Sequence, residues 1–189
     1  KPVVAIVGRP NVGKSTLFNR MAGIRISIVK SEPGITRDRI YADVEWQEEK
    51  FILIDTGGIE TDSDDIIVSK IRQQAELAIE EADLLLFVVD GRSGVTNLDE
   101  EIAGYLRKAN KKIILVINKV DDFTLADEIT WQFFSLGFEE IIPLSAEHGK
   151  NIGDLLEKII ENLPEIVEEE TNEALNIAIV GKPNVGKSS

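Results

Sequence analysis

The run Gly8-Arg9-Pro10-Asn11-Val12-Gly13-Lys14-Ser15-Thr16 has the residue types and spacing that hold a phosphate. Glycines at both ends let backbone N–H groups turn inward around a β-phosphate, and the start of a following helix adds a favourable dipole. Lys14 is placed to reach the β- and γ-phosphates and to stabilise charge as a terminal phosphoryl group moves to water. The Ser15 hydroxyl is placed to bind Mg²⁺. The competing reading is a glycine turn followed by a chance Lys-Ser. An apolar strand pattern before the run and a helical pattern after it argue against that.

Asp55-Thr56-Gly57-Gly58-Ile59 follows a short apolar run. In parallel α/β sheets ligands gather at the carboxyl ends of strands. Asp55 is therefore expected to hold Mg²⁺ through water, with Gly57 and Gly58 letting a backbone N–H approach the γ-phosphate. A strand-end aspartate that merely caps a turn is the alternative. Residues 23–39 are expected to form a long loop, and long loops inside compact domains are usually functional. Within it Thr36 is the candidate to close on Mg²⁺ and the γ-phosphate, against the alternative of a surface threonine.

Asn118-Lys119-Val120-Asp121 follows another apolar run, and Ser145-Ala146-Glu147 comes later. The Asp121 carboxylate can accept from guanine N1–H and N2–H₂. Adenine offers neither donor in that arrangement and would leave the carboxylate unpaired. The stem of Lys119 can lie over a base, Asn118 can tie its loop to the phosphate loop, and backbone N–H groups at 145–147 can donate to guanine O6. The order of these motifs separates a guanine nucleotide from an adenine one.

These residues need a scaffold that brings strand ends together. Apolar runs at Val3–Val7, 51–54, 84–89 and 113–117 are too short for helices and lack polar alternation, as central parallel strands do. Ile40–Trp46 alternates apolar and polar residues, which suits an edge strand, and a sixth strand is expected at Glu140–Pro143. Helical patterns fall at 14–21, 67–81, 99–107, 125–134 and 152–163. The alternation implies a three-layer α/β fold: a mainly parallel six-stranded sheet with one antiparallel edge strand.

Composition narrows the classes. There are no cysteines, which excludes disulfides and thiolate metal sites in this chain and fits a reducing compartment. A net charge of −13 makes a poor nonspecific binder of nucleic acid or anionic membrane. No apolar run is long enough to span a bilayer, so no membrane partner and a cytoplasmic location are expected. His148 and Trp46 read as a surface residue and a packing residue, and Trp131 likewise as packing. The acidic cluster 62–65 reads as solvated charge at a helix start.

The phosphate-loop run returns as Ala178-Ile179-Val180-Gly181-Lys182-Pro183-Asn184-Val185-Gly186-Lys187-Ser188. Only the residue after the first glycine differs, Arg9 against Lys182. The expected organisation is a first nucleotide-binding domain at 1–163, an acidic linker at 164–175, and the truncated start of a second domain at 176–189.

Taken together, the motifs resemble the translation-factor-related GTPases, matched in order across residues 8–147. The tandem loops, the acidic linker and Gly8-Arg9-Pro10-Asn11-Val12-Gly13-Lys14-Ser15 resemble the Der (EngA) family of bacterial GTPases with two consecutive G domains. That resemblance implies a GTP- and GDP-binding switch that hydrolyses GTP slowly and acts in large-subunit ribosome assembly, with a second G domain and a KH-like domain in cis. Ras-type GTPases carry a water-orienting glutamine where Ile59 stands here, and Der-like GTPases share the hydrophobic replacement. Asn11 matches an asparagine that some relatives use to bind K⁺, against the alternative that it only braces the loop. Two other readings compete: a nucleotide-gated binding module with hydrolysis only as a reset, and a P-loop ATPase, which Asp121 opposes.

Overall fold

The computed structural model describes residues 1–23, 26–30, 40–56 and 64–164. Along the chain run β1 (Val3–Val7), α1 (Lys14–Ala22), β2 (Ile26–Lys30), β3 (Ile40–Trp46), β4 (Glu49–Asp55), α2 (Asp64–Glu81), β5 (Leu84–Asp90), α3 (Asn97–Leu106), β6 (Lys112–Asn118), α4 (Ala126–Phe133), β7 (Glu140–Pro143) and α5 (Ile152–Asn162). Single 3₁₀ turns flank α4 at Phe123–Leu125 and Phe134–Leu136.

The strands form one sheet in the order β2-β3-β4-β1-β5-β6-β7. β4, β1, β5, β6 and β7 are mutually parallel, and β3 runs antiparallel to β4. This is the expected sheet, extended by one strand. Ile26–Lys30, read from sequence as part of a long loop, pairs antiparallel with β3 and becomes the outer strand. The correction has a simple cause. β3 has an edge whose backbone groups need partners, and the run Ile26-Ser27-Ile28, whose apolar–polar alternation is itself a strand pattern that the loop reading passed over, satisfies them.

Alternation along the strands divides the core. Val4, Ile6, Leu84, Leu86, Val88, Ile114 and Val116 face α1 and α5, where Leu17, Phe18, Met21, Leu155, Leu156 and Ile159 pack on them. Their neighbours Ala5, Val7, Leu85, Phe87, Val89, Leu115 and Ile117 face α2, α3 and α4, against Ile71, Ala75, Ala78, Ile102, Leu106 and Phe133. Every residue of β5 is buried, as a strand covered on both faces must be. Each large side chain so buried contributes about 1.5–3 kcal/mol.

α3 begins with a capping box: the Thr96 side chain accepts from the Asp99 N–H, and Asp99 accepts from the Thr96 N–H. α5 is the most amphipathic element, with Ile152, Leu155, Leu156 and Ile159 buried along one stripe. Pro164 follows its end. The rest of the expected acidic linker, the second phosphate loop, Thr36, Gly57, Gly58 and Ile59 lie outside the described residues. Trp131 is not a core residue: it is 72% exposed and packs edge-to-face on Phe134. Among the described residues no helix is long and apolar enough to cross a membrane.

Candidate functional site

Parallel strands put their carboxyl ends on one edge of the sheet, and the winding reverses at β1, which lies between β4 and β5. Gly8 follows β1, Asp55 closes β4, Asp90 closes β5, Asn118 closes β6, and Ser145 lies just past β7. In register, Ile6 pairs with Asp55 and Asp90 with Asn118. The motif residues, far apart in sequence, therefore share one rim.

Two glycines of the phosphate loop are demanded by close approach. A Cβ on Gly8 would lie 2.3 Å from the Val88 carbonyl oxygen, and one on Gly13 would lie 2.3 Å from Asn118 Nδ2. Gly13 also takes φ +94, and Asn11 takes φ +65, the left-handed region.

Lys14 is buried, and its Nζ donates to the Arg9 carbonyl at 2.8 Å. Burial lowers its pKa to about 8; Asp55 opposes that shift and Arg9 adds to it. Negative charge brought to the loop would relieve this cost. Ser15 Oγ donates to Asp55 Oδ2 at 2.8 Å. A hydroxyl and a carboxylate in contact, at a helix start and a strand end, are hard oxygen donors suited to Mg²⁺. Thr56 is buried, and its hydroxyl donates to the Ile6 carbonyl at 2.6 Å, pinning the end of β4 to β1.

Asn118, Lys119 and Arg20 join the second half of the rim to the first. Buried Asn118 donates from Nδ2 to the Val12 carbonyl at 2.9 Å and accepts at Oδ1 from the Ala146 N–H at 3.0 Å. It thus fixes the phosphate loop and the 145–147 turn relative to each other. Lys119 donates to the Asn11 carbonyl and to Asp90 Oδ2, both at 2.6 Å. Burial pushes the Asp90 carboxyl up, but the Lys119 hydrogen bond, the Arg92 N–H and the charges of Lys119 and Arg9 outweigh it and hold the group below its usual range. Asp121 accepts from Arg92 at one oxygen and from Ser145 Oγ at the other, 2.8 Å away. Those two hydrogen bonds, Arg92 first, hold its carboxyl low. Arg20 of α1 donates from Nε to the Ala146 carbonyl at 2.9 Å, and also to the Glu147 carbonyl.

The structure thus gathers Gly8, Arg9, Pro10, Asn11, Val12, Gly13, Lys14, Ser15, Thr16, Asp55, Thr56, Asn118, Lys119, Val120, Asp121, Ser145, Ala146 and Glu147 along one edge. Sequence reasoning missed Arg20, Asp90, Arg92, Ser93 and Asp99. The basic last turn of α1 hints at Arg20, and the Asp90-Gly91-Arg92 turn at a strand end hints at its two charged residues. His148 is exposed, as expected, with Nε2 3.7 Å from Asp121 Oδ1.

The glycine-rich loop after β1, the Ser15–Asp55 oxygen pair and the Asp121 carboxylate thus lie along one rim of the sheet. Residues 3–119 match the family model described as 50S ribosome-binding GTPase. The chain belongs to this family. GTPase Der of Halothermothrix orenii is 63% identical over the whole chain, and GTPase Der of Clostridium novyi 58%. The chain spans 43% of the length of each of these GTPases. Among solved structures, Era in complex with MgGDPNP and nucleotides 1506–1542 of 16S ribosomal RNA superposes with TM-score 0.68 at 34% identity, over 87% of this chain and 57% of that one. Aquifex aeolicus Era bound to GDP.AlF4- superposes with TM-score 0.65 at 37% identity, over 86% and 57%. The GTPase fold read from the sequence is the fold of these relatives.

Proposed function

We propose that this domain is a GTP-hydrolysing switch in a longer protein with two G domains that acts in assembly of the large ribosomal subunit. One observation carries the nucleotide part: Asn118 bridges the phosphate loop to the 145–147 turn, which sets phosphate binding and base reading at a fixed separation on one rim. In this reading the N–H groups of residues 11–16 and the Lys14 ammonium bind the β- and γ-phosphates. Asp121 accepts from guanine N1–H and N2–H₂, while N–H groups of residues 145–147 donate to O6. The Lys119 stem covers the base.

Ser15, Asp55 and Thr36 would hold Mg²⁺, which supplies neutralisation of the β- and γ-phosphate charge when bound. Lys14 stabilises charge on the phosphoryl oxygens as the bond to the leaving phosphate breaks, and a Gly58 N–H meets the γ-phosphate. Ile59, unlike a glutamine, cannot orient water, so intrinsic turnover is slow. Asn11 is proposed to hold K⁺ near the transferring group; equal turnover in KCl and NaCl at matched ionic strength would remove that role.

Family membership and the Der relatives support the ribosomal setting, with the second G domain and a KH-like domain in cis. With a net charge of −13, contact with RNA would need a local basic patch or the other parts of the longer protein. Residues 164–175 would link the two G domains, the second starting at 176. Calorimetry with Mg²⁺ tests the nucleotide reading: GDP should bind far more tightly than ADP, and equal affinities would overturn it.

A further inference from the structure

The two phosphate-loop copies differ within their shared run only at Arg9 and Lys182. Arg9 is also the point at which the loop is fastened to a remote helix. Its Nε lies 3.3 Å from Asp99 Oδ1 and 3.4 Å from Oδ2, and its Nη2 donates to Ser93 Oγ at 2.6 Å. Asp99 is fully buried. Its Oδ2 accepts from the Thr96 N–H at 3.0 Å and the Thr96 hydroxyl at 2.7 Å, which caps α3. Its Oδ1 has no hydrogen-bond partner, so the guanidinium beside it is what neutralises it. Buried charges persist when paired, and losing one partner is far more damaging than losing a surface pair. The main chain of the same residue turns the other way: the Arg9 carbonyl accepts from Lys14.

We infer that Arg9 is a positioning residue for the diphosphate. Clasped by Asp99 and Ser93, its side chain fixes the first half of the loop against the start of α3, so that the N–H groups and Lys14 meet the β-phosphate without rearrangement. The guanidinium is committed to Asp99 and Ser93. A lysine, as in the second copy, carries a single ammonium and cannot reproduce a planar fork that meets a carboxylate and a hydroxyl together. This inference rests on the GTP-binding reading above.

The test compares GDP with GMP, because only GDP carries the β-phosphate. Calorimetry on the native chain, R9A, R9K and D99N gives the ratio of the two affinities. R9A and D99N should each lower GDP affinity about tenfold more than GMP affinity, the effect of one charge-assisted contact. R9K should recover less than half of that on a logarithmic scale. If R9A misfolds, S93A removes one arm of the clasp at an exposed contact and should lower the ratio in the same direction. An unchanged ratio, or equal loss of GDP and GMP as general destabilisation would give, overturns the inference. Full rescue by R9K, or a D99N ratio like the native one, does so too. A native chain that binds no GDP overturns the inference together with the reading beneath it.

Discussion

Replacing Asn118 by alanine probes the joint on which the site depends. The amide makes two buried contacts, to the Val12 carbonyl at 2.9 Å and from the Ala146 N–H at 3.0 Å, and Val12 and Ala146 are both fully buried. Truncation removes both contacts and leaves a carbonyl and an N–H with no partner. Leaving a buried polar group unpaired costs about 1–3 kcal/mol. Because the two groups share one relaxing neighbourhood, the summed loss is about 2–4 kcal/mol. Urea unfolding of native and variant chains measures it as a shift in midpoint at constant slope. The same change uncouples the phosphate loop from the 145–147 turn, so GDP affinity should fall at least about tenfold beyond what GMP loses. N118D is the informative companion. It keeps an acceptor for the Ala146 N–H but sets a carboxylate oxygen against the Val12 carbonyl, so it should recover less than half of the stability. A loss below about 0.5 kcal/mol for N118A, the size of an ordinary surface substitution, would refute the claim that this side chain joins the two halves.

Further outcomes follow from other contacts. G13A should destabilise by about 2 kcal/mol or more, since its Cβ would sit 2.3 Å from Asn118 Nδ2 at φ +94; the G13A/N118A pair should cost less than the sum, and strict additivity in a double-mutant cycle would contradict the clash. D121N should exchange base preference, weakening GDP and strengthening xanthosine diphosphate by about a hundredfold in ratio, because an amide can donate to the xanthine 2-carbonyl; competition binding reads this. Asp90 has a folded-state pKa below the ordinary 3.8, so the stability from its pair with Lys119 is complete above 3.8 and is lost as pH falls from there through the lower folded-state value. D90N should therefore melt about 2–4 °C lower than the native chain at pH 7, with the difference shrinking steadily as pH falls below the ordinary carboxylate range, and a gap that does not shrink with acid would contradict the assignment.

Much of this molecule was written in local sequence. Val3–Val7 and Ile40–Trp46 were placed to the residue and the last strand to its neighbourhood at Glu140–Pro143, because short apolar or alternating runs bounded by polar turns leave few alternatives. The phosphate loop and the Asn118–Asp121 run were legible for a different reason. Their function lies in a fixed local spacing of backbone turns and side chains, so a few consecutive residues carry it whole. The linear reading also fixed the order of the motifs, and with it the strand ends on which they would meet.

Tertiary structure alone decided what crosses between those segments. Ile26–Lys30 is a strand because β3 has backbone groups to pair with, a demand that arises only once the sheet exists. Arg20, Arg92 and Asp99 serve the site through partners 126, 29 and 90 residues away in the chain, and no local pattern encodes such a meeting. Trp131 lies outside the core because α4 turns its Ala126 and Phe133 inward, a choice of face that an eight-residue helix with several apolar residues leaves open. Sequence specifies what each segment can do alone. Which buried charge finds which partner depends on desolvation and distance, and both come into being only when the layers close.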